Sequence, residues 1–228
     1  MKRILCLVIA LCMLLPLLVS CQREEELAIV NKGVCVIVYD VDTVGEDLAT
    51  AVANDIKKVF ETEVEVKSSS SFPLDINAEK NTILLGALDF EASRNALQPL
   101  RNKDFTVGVY GDYYIVAGQN EETTSRAIRY FREEVLGLAE GGDTFKVSAA
   151  NNHVYQAKYT IENMMVGGVP LYQCAIVLPQ NEQVYEYRLA MKIQNILLMK
   201  TGYTVPVVRS NQVSTEGQIR IGQSICTG

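Results

Sequence analysis

The sequence predicts an α+β fold: a mixed sheet with amphipathic helices packed on it, built twice, the second copy incomplete. Three observations carry that expectation. Continuous apolar runs such as GVCVIVYD (33–40) have the length and β-branched content of strands buried on both faces. Between them lie longer segments whose apolar residues recur at helical spacing. The order strand, helix, strand and strand ending in glycine then returns from residue 172 onwards.

The first strand leads into VGEDLATAVANDIKKVFETE (44–63), where Leu48, Ala51, Val52, Ile56, Val59 and Phe60 fall at helical spacing with charge on the other side. A short strand VEVK (64–67), a Ser-rich loop SSSSFP (68–73) and a second buried strand NTILLG (81–86) follow. DFTVGVYG (104–111) and DYYIVAG (112–118) then make two strands joined through Gly111 and Asp112 as a tight hairpin. Asn120 is placed to cap an amphipathic helix with Ala127, Ile128, Phe131 and Val135 inward and Gly137 as its stop.

From residue 172 the pattern starts again. YQCAIVLP answers GVCVIVYD, with Cys174 at the place of Cys35. The stretch 187–208 puts Ile193 and Ile196 at the places of Ile56 and Val59, and GQIRIG (217–222) answers NTILLG with Gly222 for Gly86. Cys35 to Gly86 spans 51 residues and Cys174 to Gly222 spans 48, a repeat with a period near 137. The second copy carries no counterpart of the hairpin and second helix. It is therefore expected either to belong to a longer protein or to complete itself against the first unit, because a half sheet exposes strand edges and apolar faces. The predicted organisation is 1–20 signal peptide, 21–32 tether, 33–150 first α+β unit, 151–171 linker and 172–228 partial second unit.

The first twenty residues carry Lys2 and Arg3 and then an apolar block from Ile4 to Val19 broken by Pro16, the layout of an export signal. Leu18, Val19, Ser20 and Cys21 resemble the bacterial lipobox, which implies that Cys21 is alkylated by diacylglycerol and becomes the first residue of the mature chain. Acyl chains at that thiol predict a protein held on the extracytoplasmic face of the cell membrane. The chain has 21 Lys plus Arg against 27 Asp plus Glu, and losing residues 1–20 leaves 19 against 27, a net charge of −8. Nucleic acid is excluded as a partner, since polyanion binding rests on clustered basic residues.

No CxxC pair occurs and His153 is the sole histidine, so neither a metal site nor a cofactor is predicted. Cys35 and Cys174 sit in apolar runs and read as small buried hydrophobes; Cys226 reads equally well as a free thiol or a disulfide partner.

The order CVIVYD, amphipathic helix, VEV, NTILLG and DFTVGVYGDYYIVAGQNEETTSRAIRYFREEVL resembles the small accessory α+β domain that precedes the barrel of family 20 β-N-acetylhexosaminidases and family 67 α-glucuronidases. Leu85 and Gly86, the YYIVAG strand and the helix with Ala127 and Phe131 carry the resemblance over 33–138; KTGYTVPVV and IRIG carry it again over 172–224. The resemblance implies an accessory module without catalytic residues of its own.

No nucleophile elbow, Walker loop or dinucleotide glycine pattern is present, and GQSIC lacks the elbow's final glycine. Asp40 and Asp42, after the first strand, are the candidates for a ligand-facing position, because ligands often sit at carboxyl ends of strands. Turn chemistry and helix capping are the plainer role for both. Glu133 and Glu134 read as solvated, and His153 as a loop or edge residue. Tyr113 and Tyr114 alternate on one strand, so one points away from the core and could stack on a sugar; Tyr185 and Tyr187 lie near the start of the second copy's helix. The expectation is a lipid-anchored extracytoplasmic protein without catalytic activity in this chain, binding or scaffolding, with carbohydrate as the candidate ligand. The rival expectations are the N-terminal accessory region of a longer glycoside hydrolase and the solute-binding lipoprotein of a transporter.

Overall fold

The computed structural model describes residues 26–31, 33–70, 81–215 and 217–222. Cys21, the signal segment and Cys226 lie outside the described residues. The architecture is α+β, a mixed sheet with helices on both faces.

Its centre is β2 (Val34–Tyr39), flanked in parallel by β3 (Glu63–Ser68) and β4 (Thr82–Leu85). Cys35, Ile37 and Tyr39 point to one face and Val36 and Val38 to the other, and all five are buried. That double burial is why the run is apolar at every position rather than at alternate ones. Helix α1 (Glu46–Phe60) connects β2 to β3 and lays Ala49, Val52, Ala53, Ile56 and Phe60 on the first face. Glu46 and Asp47 stand in its first turn and Lys57 and Lys58 in its last, each sign where the helix dipole favours it.

On the other edge of β4 lies β6 (Tyr113–Gly118), parallel to it, and β6 pairs in turn with the antiparallel β5 (Phe105–Tyr110). Tyr110 faces Tyr113 across the two-residue turn Gly111–Asp112, as the sequence predicts. Asn120 caps helix α3 (Glu121–Tyr130): its side chain accepts from Thr123 N at 3.1 Å, and the Thr123 hydroxyl meets Asn120 N in return. The helix runs on as a wider π-type turn over Phe131–Leu136, burying Ala127, Ile128, Phe131 and Leu136 beside α1.

The short helix α2 (Glu91–Leu97), absent from the sequence reading, covers the second face. Its seven residues offer only Ser93, Ala96 and Leu97 to the core, too few for a visible period.

The sheet also extends further than expected. Part of the predicted tether, Glu26–Asn31, forms β1, which bends back to β2 at Asn31↔Val34 and pairs along β7 (Thr144–Ser148). Ile29 and Val30 are fully buried there, so the charge of the preceding REEE hides a strand. The predicted linker likewise supplies β8 (His153–Tyr155), the strand beyond β5, and a small hairpin of β9 (Met165–Val166) and β10 (Val169–Pro170). Among the described residues no helix is long and apolar enough to cross a membrane.

The second unit repeats the first geometrically. Strand β11 (Cys174–Leu178) lies between β12 (Val207–Arg209) and β13 (Gly217–Arg220), both parallel to it, with helix α4 (Val184–Thr201) as the connection to β12. The registers correspond: Ile37 meets Val66 and Ile83, and Ile176 meets Val207 and Ile219. Gly86 and Gly222 follow at positive φ of 95° and 67°. A Cβ on Gly86 would stand 2.6 Å from Thr43 Oγ1, and one on Gly222 2.0 Å from Glu186 Oε1, so in both units the strand closes against the residues that follow the central strand.

The helices of the two units correspond in a different register from the one the sequence suggests. The left-handed caps Glu61 and Gly202 each stand five residues before the matched strand residues Val66 and Val207. Counted from them, Leu197, not Ile193, occupies the place of Ile56, and Ala190 that of Ala49; both pairs are buried. Ile193 and Ile196 were one turn out of step, because a shift of four residues leaves a helical period almost unchanged.

Cys35 and Cys174 are free and buried. Burial pushes the Cys35 thiol up from 9.0 to about 12. Because the folded state holds that proton more tightly, the stabilisation is complete below pH about 9 and is lost as pH rises towards about 12. Urea unfolding of the wild type is expected to show a steeper loss of stability across that window than Cys35→Ala, and parallel profiles for the two proteins would contradict the assignment.

Candidate functional site

A groove lies where the two units meet, at the carboxyl end of β6. Gln119 and Asn120 leave that strand end, Gln98, Leu100 and Asn102 come from the turn after α2, and Gly202, Tyr203 and Thr204 from the turn after α4, with Tyr172 opposite. They enclose about 310 Å³, at the lower end of small-molecule sites. Every lining side chain is uncharged. An adjoining, more open hollow is lined by Ala87 and Asp89 before α2 and by Arg94 and Asn95 on it.

Hydrogen bonds within the wall fix the groove. Gln119 Nε2 donates to the carbonyls of Leu97 (2.5 Å) and Leu100 (3.1 Å), which leaves Oε1 as its remaining polar atom. Asn120 Nδ2 donates to Asn102 O at 2.7 Å, while the same side chain caps α3. Asn102 N donates to Gly202 O at 2.8 Å, and the Tyr203 hydroxyl donates to Pro99 O at 3.3 Å. The rings of Tyr172 and Tyr203 lie 5.9 Å apart with a tilt of 40°. Burial raises the Tyr203 hydroxyl above its ordinary value, with Arg101 pulling the other way and Asp104 adding to the rise.

Behind the groove is a buried ion pair. Arg101 Nε donates to Asp104 Oδ2 at 2.8 Å, with 5% and 3% of the two side chains exposed. Asp104 Oδ2 also accepts from Arg101 N, and its Oδ1 accepts from Ala157 N at 2.7 Å. Arg101 Nη2 donates to Ala157 O at 2.7 Å, and Glu162 stands 3.6 Å from Nη1. Tyr159 stacks under the guanidinium at 4.8 Å and donates its hydroxyl to Asn102 Oδ1. Burial alone would lower the Arg101 pKa, but the bond to Asp104 and the charges of Asp104 and Glu162 outweigh it and leave it raised. Gly202 packs against the Tyr159 ring: a Cβ there would lie 2.3 Å from it, and its φ of 80° also favours glycine.

The residues singled out in the sequence lie elsewhere. Asp40 closes a turn: Oδ1 accepts from Asp42 N at 3.2 Å and Oδ2 from the Thr43 hydroxyl at 2.6 Å, so both oxygens serve the β2–α1 connection. Asp42 is exposed on that turn, and neither aspartate lines the groove. Tyr114 is 4% exposed in the core against Phe131, which rules out a ligand-facing role. Tyr113 takes the opposite face and packs on Phe90 at 5.7 Å. His153 stacks on Tyr130 at 4.0 Å in the edge strand β8. Glu133 and Glu134 are exposed. Among the described residues no group of His, Cys, Asp and Glu could hold a metal ion. Nothing local in the sequence marks Tyr172 or Tyr203; the hydrogen-bond acceptor of the Tyr203 hydroxyl, Pro99 O, is 104 residues away in sequence.

No protein-family model matches the chain, and no curated protein matches it. Among solved structures it is similar to a glycoside hydrolase family 84 protein titled "Structure of CpGH84D", at 13% identity and a TM-score of 0.39, over 79% of this chain and 34% of that one. The chain thus spans about a third of that protein's length.

Losing one partner of the buried pair strands a charge, so Arg101→Met and Asp104→Leu are each expected to cost about 3–5 kcal/mol in urea unfolding. The double variant should recover most of that loss. Additive costs in the double-mutant cycle would show that the pair does not hold the junction.

Proposed function

We propose that this is a lipid-anchored extracytoplasmic protein with a non-catalytic binding role, and that its ligand is a neutral glycan taken into the junction groove. The observation that carries the proposal is the groove's lining: amides from Gln98, Asn102, Gln119 and Asn120, a hydroxyl from Thr204 and two tyrosine rings, with no charged group. Sugars present neutral hydroxyls and apolar C–H faces. Amide and hydroxyl groups serve the first, and aromatic rings serve the second. An uncharged wall also avoids the cost of stripping water from an ion when a neutral ligand enters.

Several of these amides are already held by the protein, so their remaining atoms would be positioned before a ligand arrives. The anchor part of the proposal is supported by Lys2, Arg3, the apolar block 4–19 and the Leu18–Cys21 motif. Acyl chains on Cys21 would each add ~0.8 kcal/mol per buried CH₂.

Titration of the protein with a panel of neutral oligosaccharides, followed by calorimetry on the best of them, tests the groove. Tyr172→Ala should weaken binding by at least about tenfold, the loss expected when a stacking ring is removed. Binding that ignores this substitution, or a panel in which nothing binds, would refute the glycan assignment.

A further inference from the structure

Helix α4 is apolar on two sides. Its inner face buries Ala190, Leu197 and Thr201 against β11–β13. Its outer face exposes Tyr185 (70%), Leu189 (46%), Ile196 (45%) and Met199 (71%). With Lys192 these residues follow one another at intervals of four, three, four and three, so they form a single stripe along four turns of the helix. That is the spacing of a seam that packs against another helix. A helix apolar all round is ordinarily buried all round.

The first unit shows what belongs there. Counted from the caps Glu61 and Gly202, Ile196 and Met199 occupy the places of Asp55 and Lys58 on α1. Asp55 forms an ion pair with Arg132, on the π-type turn that continues α3 beside α1. At the Asp55 position the first unit thus carries a neighbouring helical turn, whereas no described residue of the second unit packs on Ile196, where the charged side chain has become apolar.

Charge identifies the occupant further. Arg188 and Lys200 flank the stripe on either side and Lys192 lies within it, all three exposed, whereas the helix's one acidic residue, Glu186, is buried as part of the N-terminal capping box. Two copies of α4 laid seam to seam would bring Lys192 against Lys192 or leave both buried in an apolar contact, which disfavours self-association. We propose that α4 is the docking face for an amphipathic helix of a partner polypeptide, with an apolar seam and acidic residues on its flanks, one of them opposite Lys192.

The test uses the full chain and two synthetic three-heptad peptides with the same leucine seam, one flanked by glutamates and one by lysines. Binding is followed by fluorescence anisotropy. The glutamate peptide is expected to bind and the lysine peptide not to. Ile196→Asp or Lys192→Glu should each weaken the complex at least about tenfold, and added salt should weaken it as well. Ile196 and Lys192 are surface positions, and an unchanged circular dichroism spectrum checks that both variants stay folded.

Three results would overturn the proposal: equal binding of both peptides or of neither; preferential binding of the stripe to phosphatidylglycerol vesicles, which would make it a membrane face; and sedimentation as a dimer that Ile196→Asp dissolves, which would make it a self-association face.

Discussion

The buried contact of Arg101 with Asp104 is the constraint on which the rest of the arrangement depends. A charge pair taken out of water is costly unless further polar contacts offset the lost hydration, and here several do. Asp104 takes the amide of Ala157, Arg101 returns a bond to the carbonyl of the same residue, and the ring of Tyr159 covers the guanidinium. Both partners belong to the first unit, and apart from the amide of Arg101 itself the groups that meet them, Ala157, Tyr159 and Glu162, come from the segment leading to the second. The pair therefore fixes where residues 156–163 run. That segment in turn fixes α4, because Ile161 N donates to Lys200 O and Tyr159 packs on Gly202. The groove between the units follows from this placement.

The described part of the second unit also has a core of its own. Its three parallel strands and one helix bury Leu171, Ile176, Leu178, Ala190, Leu197, Val205 and Ile221 together. The first unit needs α3, β5 and β6 to cover what α1 leaves open; the second is held at the junction instead. On the outer side of α4, where the apolar stripe lies, Tyr185, Leu189, Ile196 and Met199 are exposed.

The parts of the fold that were legible in the sequence are those with a long or doubled signal. Strand β2 was readable because both faces are buried, α1 because five inward residues recur over fifteen positions, and the β5–β6 hairpin because Gly111 and Asp112 punctuate it. Strand β8 has three residues and α2 seven, too short for any period to emerge. Strand β1 follows a run of charge and took the look of a tether. Tyr113 and Tyr114 alternate across the sheet as the sequence predicts; Tyr114 is buried against Phe131, and Tyr113, half-buried, lies against Phe90 on the other face. The groove was not legible because tertiary contact assembles it: Tyr203 and Pro99 meet only through the junction. Local pattern drew attention instead to Asp40, whose chemistry is consumed by its own turn.

Helix α4 serves both proposed surfaces without mixing them. Gly202, at its end, lines the groove, where all groups are neutral, while the stripe on its outer face carries three exposed cations. A neutral ligand gains nothing from the stripe's charge, and an acidic helix finds no cation in the groove's lining, so each surface selects against the other's partner. They remain mechanically close, since Ile196 and Met199 lie in the last two turns before Gly202, whose carbonyl holds Asn102 in the groove wall. A helix docked on the stripe would restrain those turns and with them one side of the groove. Coupling of that kind requires only that the restrained turn and the free one differ in their affinity for ligand.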